Sequence, residues 1–106
     1  MSADRLMQLR AWHAEEPGDA FLRYAIALEL KRLGELEQAI ASLESLLGDK
    51  PEHIPSYYQL ALLLAEQSRF AEAIACCEAG MLHCTVAGDQ KARNELAALK
   101  EGIADA

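Results

Sequence analysis

The chain has 106 residues, 52% of them hydrophobic and 25% charged, a size and composition that suit one compact soluble domain rather than two. Its apolar content is mainly Ala and Leu, aromatics are only 6%, and six Gly with three Pro are too few for a loop-rich chain, so an all-helical fold is expected and disorder is excluded. Ten basic against seventeen acidic residues leave a net charge of −7, which repels phosphate backbones and anionic lipid, so neither nucleic acid nor membrane is an expected partner.

No stretch reaches the roughly eighteen unbroken apolar residues of a membrane span. The opening Met1-Ser2-Ala3-Asp4-Arg5 lacks the basic-then-apolar profile of a signal peptide, so the sequence reads as cytoplasmic. The first segment, residues 3–16, is amphipathic through Leu6, Leu9 and Trp12. Pro17-Gly18-Asp19 stops it and offers Asp19 as N-cap to a helix with Leu22, Ile26, Leu30 and Leu33 on its apolar face and Gly34 at its end. The next helix, from about Leu36 to Leu47, aligns Leu36, Ala39, Ile40, Leu43, Leu46 and Leu47, with Gly48 expected as its left-handed C′ residue. Pro51 and Pro55 bracket the following connection. Pro55 suits a first helical position, where its missing N–H has no intrahelical partner, and that helix runs to about Gln67. After a polar break at Ser68-Arg69, a helix from Phe70 to Ala87 carries Ala73, Ile74, Cys77, Met81 and Cys84 at helical spacing. Gly88 ends it, and Asp89 opens a last helix, residues 89–104, with Ala92, Leu96, Leu99 and Ile103 on one stripe. The expectation is a single all-α domain of about five helices, its two ends covering an otherwise open stack.

Shifted by 34 positions against itself, the sequence aligns Pro17 with Pro51, Tyr24 with Tyr58, Ala27 with Ala61, Leu28 with Leu62 and Leu30 with Leu64. Ala39-Ile40-Ala41 then falls on Ala73-Ile74-Ala75 and Glu44 on Glu78, nine identities where composition alone gives about three. A period of this length suits antiparallel helix-turn-helix units that stack on copies of themselves. The pattern resembles the tetratricopeptide repeat family, whose unit is a pair of helices, A and B, with restricted side chains at fixed positions. In a first unit, residues 20–53, Ile26 and Ala27 stand at the family's Leu-Gly pair, Leu30 at its Tyr position, Gly34 at the turn, Ala39 at the small residue of helix B, Leu43 at its aromatic position and Pro51 at the end. In a second, residues 54–87, Tyr57 stands at the tryptophan position, followed by Leu60, Ala61, Leu64, Phe70, Ala73, Cys77 and Gly80. Small residues at Ala27, Ala39, Ala61 and Ala73 let helix axes approach closely. The sequence departs from the pattern at Arg23, where the family favours Trp, at Leu46, which replaces a small residue, and in the missing terminal Pro of the second unit. The first segment resembles a lone helix B with Arg5 at its small position, and the last helix resembles the family's capping helix.

The resemblance implies a protein-binding scaffold or adaptor in which A helices line a concave surface that holds a peptide or helix of a partner. By position, Phe21, Tyr24, Ala25, Leu28 and Arg32 face it from the first unit, and Pro55, Tyr58, Gln59, Leu62 and Glu66 from the second. Tyrosines, apolar in body and polar at the tip, suit a surface that is wet alone and dry in complex. Two other occupants of that surface stay open: the terminal helices of the same chain, and a second copy in a homodimer that buries Tyr24, Leu28, Tyr58 and Leu62 or the face of the last helix. Members that clamp a C-terminal carboxylate use Lys, Arg and Asn where this chain has Tyr24 and Leu28, so an apolar or aromatic ligand segment is implied instead. Cys77 and Cys84 lie seven apart on one helix face and read as core packing, with Cys76 more exposed; the spacing is poor for zinc, and no metal or cofactor is expected. His13, His53 and His83 fall on different elements beside no nucleophile or phosphate-cradling motif, so no catalytic residue is assigned and no enzyme is expected.

Overall fold

A computed structural model describes Ser2–Asp105; Met1 and Ala106, the ends of the sequence read above, lie outside the described residues. These residues form six helices and, among the described residues, no strand: α1 (Ser2–Glu15), α2 (Ala20–Arg32), α3 (Leu36–Asp49), α4 (Ile54–Glu66), α5 (Phe70–Ala87) and α6 (Gln90–Ala104). Six helices stand close to the expected five, and the opening amphipathic segment, expected as an N-terminal helix over residues 3–16, is a helix of 14 residues. The chain divides into two compact units, one ending at Lys50 and one starting at Pro51.

In the first unit α1 and α3 both pack on α2. Its interior consists of Leu9 from α1, Ile26, Ala27 and Leu30 from α2, and Ala39, Ile40, Leu43 and Leu46 from α3. Ala27 and Ala39 are fully inaccessible, as expected where two axes approach through methyl-sized side chains. Leu9 alone of the expected α1 stripe is fully buried, while Leu6 is half-buried and Trp12 stays 44% exposed. Arg23, the departure from tryptophan, is held by polar contacts instead of ring packing. One guanidinium nitrogen donates to Asp49 Oδ2 at 2.9 Å and another to Ser45 Oγ at 3.1 Å, tying α2 to the end of α3.

In the second unit α4 packs on α5 and α5 on α6, with α4 also meeting α6. The core is Tyr57, Leu60, Ala61, Leu63 and Leu64 from α4, Ala73, Cys77, Gly80 and Cys84 from α5, and Leu96 and Ile103 from α6. By length and composition α5 is apolar enough to cross a membrane, and four of its residues, Ala73, Cys77, Gly80 and Cys84, supply the buried face within this unit. Cys77 and Cys84 pack there as small hydrophobes, and burial pushes both thiols above their ordinary pKa, away from the reactive thiolate. Cys76 is half-buried and its Sγ contacts the Tyr57 carbonyl at 3.4 Å.

Helix ends follow local chemistry. Asp19 and Asp89 accept from the amides of Leu22 and Ala92, each at 3.1 Å, capping α2 and α6 as the sequence indicates. Gly34 and Gly88 take left-handed φ values of 81° and 72°. At the first, Glu35 N–H donates to the Leu30 carbonyl and Gly34 N–H to that of Lys31, the paired bonds of a Schellman motif. Gly48 does not play this part: α3 continues through it to Asp49, and Lys50 N–H closes the last turn on the Leu46 carbonyl at 2.7 Å. The counterpart of Gly34 one repeat on is Ser68. It makes the same motif, with Arg69 N–H on the Leu64 carbonyl and Ser68 N–H on that of Ala65, at a φ of 59° that costs a residue with a Cβ.

Two stability changes of opposite sign are expected. Ser68→Gly relieves the left-handed strain at an exposed turn and should stabilise by about 1 kcal/mol in urea titration. Gly80→Ala places a methyl 2.7 Å from Tyr57 Cβ and 2.8 Å from Leu96 Cδ1, contacts that part α5 from its neighbours. The overpacking cost of about 1–3 kcal/mol should exceed the gain in helix propensity and lower the urea midpoint.

Candidate functional site

The ten residues assigned by family position lie on α2 and α4, five on each. Along α2, Phe21, Ala25, Leu28 and Arg32 recur at helical spacing with Tyr24 beside them, opposite the buried Ile26, Ala27 and Leu30. Phe21 is 72% exposed, an unusual state for a large aromatic ring, while Tyr24, Ala25 and Leu28 are half-buried. Along α4, Pro55, Gln59, Leu62 and Glu66 form the corresponding row with Tyr58 at its edge; Pro55 and Glu66 are exposed, Gln59 and Leu62 half-buried, and Tyr58 is 36% exposed.

The orientation of Tyr58 follows from its neighbours in the chain. Tyr57 is buried, its hydroxyl donates to the Pro51 carbonyl at 2.5 Å, and its ring stacks on His83 of α5 with centroids 5.6 Å apart. Burial raises the Tyr57 phenol pKa and keeps it a neutral donor. Ser56 is also buried, 2.8 Å from His53 Nδ1, and Pro55 sits in the first turn. With Ser56 and Tyr57 fixed inward, the 100° step of the helix turns Tyr58 outward.

On α2 the sequence reading missed a buried carboxylate. Glu29 is among the buried residues, and Arg32 grips it with both ends of its guanidinium, Nε donating to Oε1 at 2.9 Å and Nη2 to Oε2. Arg32 therefore serves its own helix as well as the exposed row. The hydrogen bond from Arg32 lowers the Glu29 pKa against the opposing effect of burial, and the charges of Arg32 and Arg5 act in the same direction. The signal in the sequence was the acid-base spacing of three residues, which on a helix brings the two side chains together. The three histidines are all engaged in framework contacts: His13 Nε2 with the Pro17 carbonyl at 3.1 Å, His53 with Ser56, and His83 with Tyr57.

The tetratricopeptide repeat profile matches residues 22–53 and 54–81. A tetratricopeptide repeat domain protein from Salinibacter ruber, solved by NMR, is similar at 31% identity over 82% of this chain and 88% of that one, with a TM-score of 0.79. The TPR2B domain of yeast Sti1, solved in complex with pHsp70, superposes with a TM-score of 0.89 at 16% identity, covering 98% of this chain and 83% of that one. Protein BPP2914 from Bordetella parapertussis gives 0.81 at 22% identity over 94% and 87% of the two chains. These last two likenesses concern the fold. No curated protein matches the chain.

The Glu29 pair yields a test with a defined sign. A carboxyl whose pKa is lower in the folded state contributes stability above the ordinary carboxylate range and loses it as pH falls through the lowered value. Glu29→Gln should therefore lower the thermal midpoint at about pH 7, and the gap to wild type should shrink as the pH is taken to about 3. Equal destabilisation at both pH values would assign the loss to packing instead.

Proposed function

This chain belongs to the tetratricopeptide repeat family, and we propose that it is a cytoplasmic scaffold or adaptor that holds a peptide or helix of a partner protein on the apolar and aromatic faces of α2 and α4. Proteins of this family are generally non-enzymatic scaffolds, and their fold is that of a protein-protein interaction module. The observation that carries the finer reading is the outward display of Phe21 and Tyr58 on helices whose other faces are already committed to the interior. Aromatic side chains of this kind supply large contact area at small entropic cost, and such residues dominate binding energy at protein interfaces. The half-buried Leu28 and Leu62 extend the apolar surface around them. A ligand segment rich in apolar or aromatic side chains fits this row better than a clamped carboxylate, since Tyr24 and Leu28 stand where a clamp needs cationic donors. Cys76, Cys77 and Cys84 form no disulfide, a state compatible with a reducing compartment.

A second reading, self-association, is favoured by a different observation. Leu82 and Val86 on α5 are 70% and 88% exposed, an apolar patch in the second unit that a second copy could cover together with the face of α6.

The binding reading predicts that Phe21→Ser combined with Tyr58→Ala leaves the melting curve intact but weakens capture of partners by about tenfold or more, as loss of two aromatic anchors requires. Capture from lysate, followed by titration of the recovered partner against both proteins, measures this; unchanged affinity of the double variant would sink the reading. Light scattering decides the second: a monomer that persists at tens of micromolar excludes self-association, whereas a dimer broken by Val86→Asp supports it.

A further inference from the structure

A cavity of about 380 Å³ opens in the first unit, on the side of α2 that carries Arg23 and Ile26 rather than Phe21 and Leu28. Its polar lining comes from three helices: Arg10 and His13 of α1, Arg23 of α2, and Ser42 and Ser45 of α3. No lining residue is acidic, in a chain where acids outnumber bases by seventeen to ten.

The arginine and serine donors have capacity left for a ligand. Asp49 and Ser45 occupy part of the Arg23 fork, which has five N–H donors, and they fix the plane of the guanidinium while leaving other N–H groups unengaged by them. Ser45 Oγ accepts from Arg23, so its own O–H is free to donate. His13 Nε2–H donates to the Pro17 carbonyl, so Nδ1 of the neutral ring is an acceptor, and His13 shapes the wall of the cavity without donating to a ligand. Arg10 is exposed and makes no hydrogen bond or ion pair with another described residue. Because Asp49 neutralises the charge of Arg23, the net positive charge of the cavity comes from Arg10, and Arg23 with the two serines supplies direction.

We propose that this cavity binds a phosphate monoester. Two guanidinium groups and two hydroxyls converging from separate helices offer more donors than the two oxygens of a carboxylate accept, and they suit the three terminal oxygens of a tetrahedral phosphoryl group. The volume lies near the lower end of ligand pockets, which run from roughly 300 to 1,000 Å³, and leaves room for the phosphoryl group with a short carrier. The carrier is either a small organic phosphate or a phosphorylated side chain of a partner. The overall charge of −7 keeps polyanions at a distance, while the local donors hold a single phosphoryl group. The site lies on the opposite side of α2 from the exposed aromatic row, so it stands or falls independently of the protein-binding reading.

The test is an NMR titration of the ¹⁵N-labelled full chain with inorganic phosphate, O-phosphoserine and a short phosphoserine peptide, with ionic strength held constant by chloride. Saturable shifts are expected at the Ser42 and Ser45 amides and at the Nε–H groups of Arg10 and Arg23. Arg10→Ala, at an exposed position that leaves the folded spectrum intact, should weaken binding about tenfold, the loss of one charge-assisted hydrogen bond. Lys91→Ala on α6 should leave the affinity unchanged. Tighter binding of O-phosphoserine than of phosphate identifies a small carrier, and a further gain with the peptide identifies a phosphorylated partner; both support the site. Shifts that grow linearly without saturation for all three probes, or an Arg10→Ala affinity equal to wild type, would overturn it.

Discussion

The close approach of helix axes at residues without bulk is the constraint on which the rest depends. Ala27 and Ala39 in the first unit, and Ala61, Ala73 and Gly80 in the second, occupy points where a neighbouring helix leaves no room for a larger side chain. At Gly80 even a methyl group is excluded, because Tyr57 and Leu96 press on the helix from α4 and α6. The larger hydrophobes, Leu30, Ile40, Leu43, Leu63 and Leu96, fill the space on either side of these contacts. Packing of this type commits one face of each A helix completely. The opposite faces of α2 and α4 are left to carry residues that the core does not need, and there the chain places Phe21 and Tyr58.

Much of this was legible in the sequence, because the features that announce a repeat are local or periodic. Apolar positions at helical spacing, aspartates before α2 and α6, and glycines after α2 and α5 all act within a few residues of themselves. The 34-residue offset then multiplied these weak signals, since Ala27 and Ala61 or Ala39 and Ala73 test the same packing requirement twice. Gly48 shows where the local rule gives way: a glycine near a helix end is permitted to leave the helix, but the chain continues to Asp49, where the carboxylate meets Arg23 from α2. Ser68 shows the reverse, with the turn geometry of the repeat retained although its usual glycine is absent.

Long-range polar pairing was not legible. Arg23 and Asp49 are separated by 26 residues, and no periodicity relates them; only the fold brings the guanidinium to the end of α3. The convergence of Arg10, His13 and Arg23 on one cavity has the same origin, since each looks like an ordinary surface base in its own helix. Glu29 is intermediate. Its spacing of three from Arg32 is a local signal that the sequence reading passed over, and its burial depends on what α2 packs against. Position in the repeat assigned one row on each of α2 and α4; Phe21, Arg32, Pro55, Tyr58 and Glu66 are exposed there, and the other five residues are half-buried. That assignment treated Arg32 as a residue of the exposed face and gave no sign of its bonds to Glu29.

The place of Trp12 has a spectroscopic consequence. It is the single tryptophan of the chain, it stays 44% exposed, and it rides on α1, which packs chiefly on α2. Its emission therefore reports the docking of one peripheral helix. Tyr57, Cys77 and Leu96 belong to the other unit, whose helices contribute to circular dichroism. Unfolding followed by tryptophan fluorescence and by helical circular dichroism observes different parts of the molecule, and coincidence of the two curves becomes a direct measure of how far the two repeats melt as one.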